Sequence, residues 1–107
     1  MRVVSLVPSV TETLLAWGVV PVGCTRFCDQ PGIPAVGGTK TPDVGAIVAL
    51  APDLVVLDAE ENRLEDHDAL VAAGLRVLAL HVRSLRDLDA DLARLAAAVG
   101  VAHEPTA

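Results

Sequence analysis

The chain has 107 residues, 52% hydrophobic and 21% charged, which suits one packed α/β domain and excludes a disordered segment. Fourteen acidic residues against eight basic ones give a formal charge of −6. The lysine and the scattered arginines form no basic cluster, which excludes a nucleic-acid footprint.

Trp17 and Phe27 are the only aromatics, so the apolar mass is Val, Leu and Ala, the makeup of buried strands under Ala/Leu-rich helices. Residues 2–7 (R-V-V-S-L-V) read as a short buried strand closed by Pro8. Ser9 with Glu12 three residues later matches the capping box S-x-x-E. Val10, Leu14 and Trp17 then form one apolar helical face that ends at Gly18. Residues 19–24 predict a second strand, and Pro21 within it places that strand near a sheet edge. Residues 25–41 form a long Gly- and Pro-rich loop, of a length usually tied to function or motion. Pro42 and Asp43 open a short helix through Leu50, with Asp43 as its cap. Residues 54–57 are a third strand. The acidic stretch 58–61 leads into a helix over residues 62–73, ended by Gly74, and residues 76–80 are a fourth strand. Ser84 caps a last helix whose apolar stripe is Leu85, Leu88, Leu92, Leu95 and Val99, stopped by Gly100.

The order β-α-β-loop-α-β-α-β-α predicts an α/β fold with right-handed crossovers. It is read as a single three-layer Rossmann-like lobe over residues 1–107, with a mainly parallel four-stranded sheet. No apolar run reaches the roughly 18 residues of a membrane span. No signal peptide precedes the first strand, so the sequence as written predicts a cytoplasmic protein.

Ligands meet open parallel sheets at the carboxyl ends of the strands. Here these are segments 8–12, 25–29, 58–62 and 81–84, with the loop carrying Gly37, Gly38, Thr39 and Lys40 folding over the same edge. A phosphate loop needs lysine where Gly38 stands, and no G-x-G-x-x-G occurs, so nucleotide binding is excluded and no cofactor is expected. Asp58, Glu60 and Glu61 are the densest carboxylate cluster. They suit a cation, a cationic ligand or an acid/base pair; the plainer reading is first-turn acids of the next helix, which accounts least for Asp58. His81 at the fourth strand's end is either a hydrogen-bonded strand-end residue or a ligand. Ser9 reads as a cap, since V-P-S-V-T lacks the glycines of a nucleophile elbow. Cys24 and Cys28 form a lone C-x-x-x-C, too little for zinc. A buried Cys24 and a loop thiol at Cys28 are expected, without a disulfide, and no metal ligand set is named.

R-V-V-S-L-V-P-S-V-T-E-T-L at residues 2–14, V-G-C-T-R-F-C-D at 22–29 and V-G-G-T-K-T-P-D-V-G-A-I-V-A-L-A-P-D-L-V at 36–55 resemble the first lobe of class III substrate-binding proteins. These are the helical-backbone receptors that deliver cobalamin, haem and iron siderophores to ABC importers. The resemblance implies two α/β lobes joined by a rigid helix, a ligand held between them, an extracytoplasmic location and no catalysis. It implies ligand-facing residues at Pro8, Ser9 and Thr11, at Arg26 and Phe27, and at Thr39, Lys40, Asp58, Glu60 and Glu61. Thr39 and Asp58 fall where cobalamin binders tend to carry tryptophans, so a smaller or more polar metal chelate is implied. Gly45 falls where the family carries a permease-docking glutamate. The chain ends roughly where the connecting helix would begin, so the resemblance covers one lobe, either a fragment of a two-lobed protein or a lobe that pairs with a second copy as a homodimer. The rival reading is a small cytoplasmic metal-handling protein or enzyme built on Asp58, Glu60 and Glu61.

Overall fold

Apolar alternation along the strands assigns each side chain to one face of the sheet or the other. The computed structural model describes residues 1–101 other than 29, 31, 39, 40, 61 and 82–84, with the backbone alone at 27, 85 and 86. Strands β1 (Val3–Ser5), β2 (Gly23–Cys24), β3 (Leu54–Asp58) and β4 (Val77–Leu80) pair in parallel in the order β2-β1-β3-β4. Helices α1 (Pro8–Ala16), α2 (Val44–Ala49), α3 (Leu64–Ala72) and α4 (Leu85–Val99) cover both faces. On one face Val3, Leu54, Val56 and Leu80 pack against Val10 and Leu14 of α1 and Leu95 of α4. On the other, Val4, Leu6, Val55 and Leu57 pack against Ile47 of α2 and Leu70 of α3. These are the three layers expected, and burial on both faces is why the strands read as continuous apolar runs.

Helix α1 starts two residues earlier than the capping-box pattern predicts. Val7 is the N-cap in extended conformation, Pro8 takes the first helical position, and no side chain caps the helix. The proline ring presets a helical φ and pushes the residue before it out of the helical region. Ser9 therefore lies inside the first turn rather than at the cap. At the other end the Gly18 and Val19 amides donate to the Leu15 and Leu14 carbonyls, a Schellman closure with Gly18 at φ 80°.

Strand β2 is shorter than residues 19–24 and lies at the sheet edge, as Pro21 predicts. The long loop folds back beside it. Val36 N–H donates to the Cys24 carbonyl at 2.8 Å, and Cys24 N–H to that of Pro34 at 3.0 Å, covering the open edge. The loop also contains a 3-10 turn, Arg26–Cys28. Gly37 (φ 94°) turns the loop so tightly that a Cβ there would lie 2.6 Å from the Thr41 carbonyl oxygen. Asp43 then caps α2 as expected, its Oδ1 accepting from Ala46 N–H at 3.0 Å. The predicted Ser84 cap falls outside the described residues. The α4 stripe is covered only in part: Leu95 is fully buried, whereas Leu88 remains 38% exposed.

Candidate functional site

The strand order reverses its direction of growth between β1 and β3, and ligands of open parallel sheets sit at the carboxyl ends of such a pair. Here a side chain bridges the two ends. Asn62 accepts from Asp58 N–H through Oδ1 at 2.7 Å and donates through Nδ2 to the Leu6 carbonyl at 3.3 Å. Its own N–H donates to the Asp58 carbonyl at 2.9 Å, so the turn after β3 closes on itself. Asn62 is buried, and neither its burial nor its role follows from the helical pattern that placed it at a helix start. The α3 helix begins two residues later, at Leu64.

From Asp58 a chain of polar contacts runs along the edge. Asp58 Oδ1 accepts from Glu60 N–H at 2.8 Å, and Glu60 Oε1 lies 3.1 Å from His81 Nε2. The His81 amide donates to Asp91 Oδ2 at 2.7 Å, and Asp91 Oδ1 accepts from Arg94 Nη1 at 3.0 Å. Arg94 Nη2 reaches back to the Ala79 carbonyl at 3.3 Å. Glu60 is thus not a first-turn acid; those positions belong to Glu65 and Asp66 of α3. His81 is hydrogen-bonded at the strand end through both its ring and its amide. Asp91 also escaped the sequence pattern, although a carboxylate among Leu88, Leu92 and Leu95 on one helical face was the signal available.

Beside this chain opens a cavity of about 280 Å³. Val7 and Val10 of the α1 end, Leu80, and Leu88, Leu92 and Leu95 of α4 give it an apolar floor. Ser9, Thr13, Asp58, Glu60 and Asp91 supply its polar rim. That volume is at the lower limit for small-ligand sites.

The remaining expected residues divide. Pro8 and Ser9 reach the surface at this edge, and so does Arg26, whose guanidinium lies against Gly38: a Cβ on Gly38 would sit 3.2 Å from its Nη2. Thr11 does not reach the surface. It is fully buried, and its hydroxyl hydrogen-bonds the Ser5 hydroxyl at 2.9 Å and the Val7 carbonyl at 3.3 Å, so it shapes the turn from inside. Thr39, Lys40, Glu61 and the Phe27 side chain lie outside the described residues. Cys28 is not a loop thiol: it is buried in the 3-10 turn, with Sγ 3.2 Å from Thr11 Oγ1 and 3.3 Å from Thr25 Oγ1. Burial first, and then the neighbouring Cys28 thiol, pushes the Cys24 thiol up to about 12.

The family model described as periplasmic binding protein matches residues 3–105. The chain belongs to this family. A vitamin B12-binding protein of Salmonella choleraesuis is 32% identical over 100 residues, which cover 90% of this chain and 38% of that protein. A periplasmic haem-binding protein from Pseudomonas aeruginosa superposes with a TM-score of 0.83 at 28% identity, covering 94% of this chain and 38% of its own. The periplasmic vitamin B12-binding protein of Vibrio cholerae, at 22% identity and a TM-score of 0.80, shares the fold. The chain therefore spans about two-fifths of the length of the family members it matches. Membership in a periplasmic family leaves the cytoplasmic expectation without support. The matched relatives are binding proteins, which removes the support for a metal-handling enzyme on Asp58 and Glu60. Among the described residues no three His, Cys, Asp or Glu side chains are grouped to hold a metal ion, and no helix is long and apolar enough to cross a membrane.

Proposed function

We propose that this chain is the first lobe of an extracytoplasmic receptor that carries a metal chelate or tetrapyrrole to an ABC permease, without catalysis. The observation that carries the reading is the β1–β3 edge: a polar rim of Ser9, Asp58 and Glu60 beside an apolar hollow, on a lobe matched over 90% of its length by a vitamin B12-binding protein. Ligand rests on Pro8, Ser9, Asp58 and Glu60, with Arg26 at the β2 side; the resemblance adds Thr39, Lys40, Glu61 and Phe27 to this set. The carboxylates favour a ligand that presents cationic or hydrogen-bond-donating groups to this lobe.

A single lobe buries one side of a ligand, and the other side is supplied by a second lobe or a second copy of the chain. Docking to the permease does not use a glutamate at Gly45, which is exposed on α2. Asp43 is exposed beside it and presents its carboxylate while capping the helix.

Thermal melting in excess haem, cyanocobalamin, a ferric siderophore, or bare ferric and zinc ions tests the reading. One chelate class should raise the melting temperature, and the Asp58→Ala/Glu60→Ala variant should lose most of that rise. Stabilisation by bare ions with none by any chelate overturns it.

A further inference from the structure

Sheet register and the 3-10 turn place the two cysteines around one pair of hydroxyls. Ser5 of β1 pairs with Cys24 of β2, so both side chains point to the face covered by α1. Thr11 of α1 meets Ser5 there at 2.9 Å and Cys28 Sγ at 3.2 Å. The 3-10 turn folds the chain back on itself, Cys28 N–H donating to the Thr25 carbonyl at 3.1 Å. Cys24 and Cys28 are consequently neighbours in the interior, both buried around the Ser5–Thr11 pair. A Cys-x-x-x-Cys spacing is too short to bridge along an extended strand; the turn removes that obstacle.

We propose that Cys24 and Cys28 are the two halves of an internal disulfide that clamps the turn carrying Arg26 and Phe27 at the ligand edge. The reaction is a double thiol–disulfide exchange with a protein or glutathione-type disulfide as oxidant. When the turn opens, the Cys28 thiolate attacks the donor disulfide and releases one donor thiol. Cys24 then gives up its proton and displaces the second donor thiol from Cys28. Two S–H bonds are lost, one S–S bond forms, and the donor gains both hydrogens. The buried surroundings favour this neutral product over the paired thiolates a soft metal ion would require. Native supply of the oxidant rests on the extracytoplasmic placement proposed above. The chemistry of the pair does not, and the test uses a defined donor.

The reduced chain is equilibrated with oxidised and reduced glutathione, acid-quenched, unfolded and alkylated, and its mass is read. The expected product has lost two hydrogens, accepts no alkyl group and carries no glutathione. Cys24→Ser and Cys28→Ser should each give one alkylatable or glutathionylated thiol instead. The oxidised chain should melt about 5 °C above the reduced one, since even a five-residue loop restricts the unfolded state. Two free thiols after equilibration in oxidised glutathione, or a stable glutathione adduct on the wild-type chain, overturns the proposal. So does an oxidised chain that melts below the reduced one. Haem or cobalamin binding is not part of the readout, so failure of the receptor reading leaves this result interpretable.

Discussion

At the scale of single residues, Asn62 carries the most. It replaces the hydrogen bonds that the last turn of β3 and the end of β1 would otherwise make with water, and it does so buried. Asn62→Ala strands the Asp58 amide and the Leu6 carbonyl, a loss expected to cost about 1–3 kcal/mol. Asn62→Asp keeps the acceptor for Asp58 N–H but turns a carboxylate oxygen toward the Leu6 carbonyl, so it should cost at least as much. Urea unfolding followed by circular dichroism measures both. Ala51 works in the opposite sense. Its φ of 51° lies in the left-handed region, and the turn is held there by Arg2, whose Nε and Nη2 donate to the Leu50 carbonyl at 2.9 and 2.6 Å. Glycine adopts that conformation without the Cβ clash, so Ala51→Gly should stabilise by about 1 kcal/mol despite a freer unfolded chain. An unchanged or lower urea midpoint would show that the Arg2 clamp already relieves the strain.

At the scale of elements, α2 is six residues long and has one side-chain cap, so its cap matters more than in a longer helix. Asp43→Ala should lower stability by about 1 kcal/mol, seen as a melting temperature about 4–8 °C lower, and Asp43→Ser should recover most of it. The same element shows what composition and spacing convey. Asp43, the strand–helix alternation and the edge position of β2 were legible because each depends on neighbours in sequence: a cap, a period, a proline. Pro8 and Ser9 offered two competing local signals, and the proline's fixed φ won over the serine's hydroxyl. The roles of Asn62 and Asp91 and the burial of Cys28 against Thr11 were not legible, since each depends on partners that distant segments bring close. The first-turn reading of Glu60 failed for the same reason; its partner His81 is 21 positions away. The edge that carries the cavity and the polar chain was therefore readable from topology, while the wiring of that chain was not.

At the scale of the whole molecule, the chain has the sheet and both helical layers of a lobe yet spans only 38% of the B12-binding relative it matches over 90% of its own length. Its alkaline behaviour is correspondingly simple, with no tyrosine and only Lys40 as lysine. Cys24 dominates it. The thiol titrates near 9.0 in its ordinary state and is pushed up to about 12 in the fold, by burial and then by Cys28. Below pH 9 both folded and unfolded chains hold the proton, so this group contributes no pH dependence there. Between about 9 and 12 the unfolded chain releases the proton while the folded chain keeps it, so stability falls as pH rises. The net charge of −6 at neutral pH grows more negative over the same interval, and its self-repulsion also destabilises the fold. That second effect is shared by a Cys24→Ser variant, which lacks the titrating thiol. The urea midpoint of the reduced protein should therefore decline above about pH 9 more steeply than that of Cys24→Ser. The oxidised protein, with no thiol proton left to lose, should follow the shallower curve. Parallel declines in all three would assign the alkaline instability to overall charge and remove Cys24 as its source.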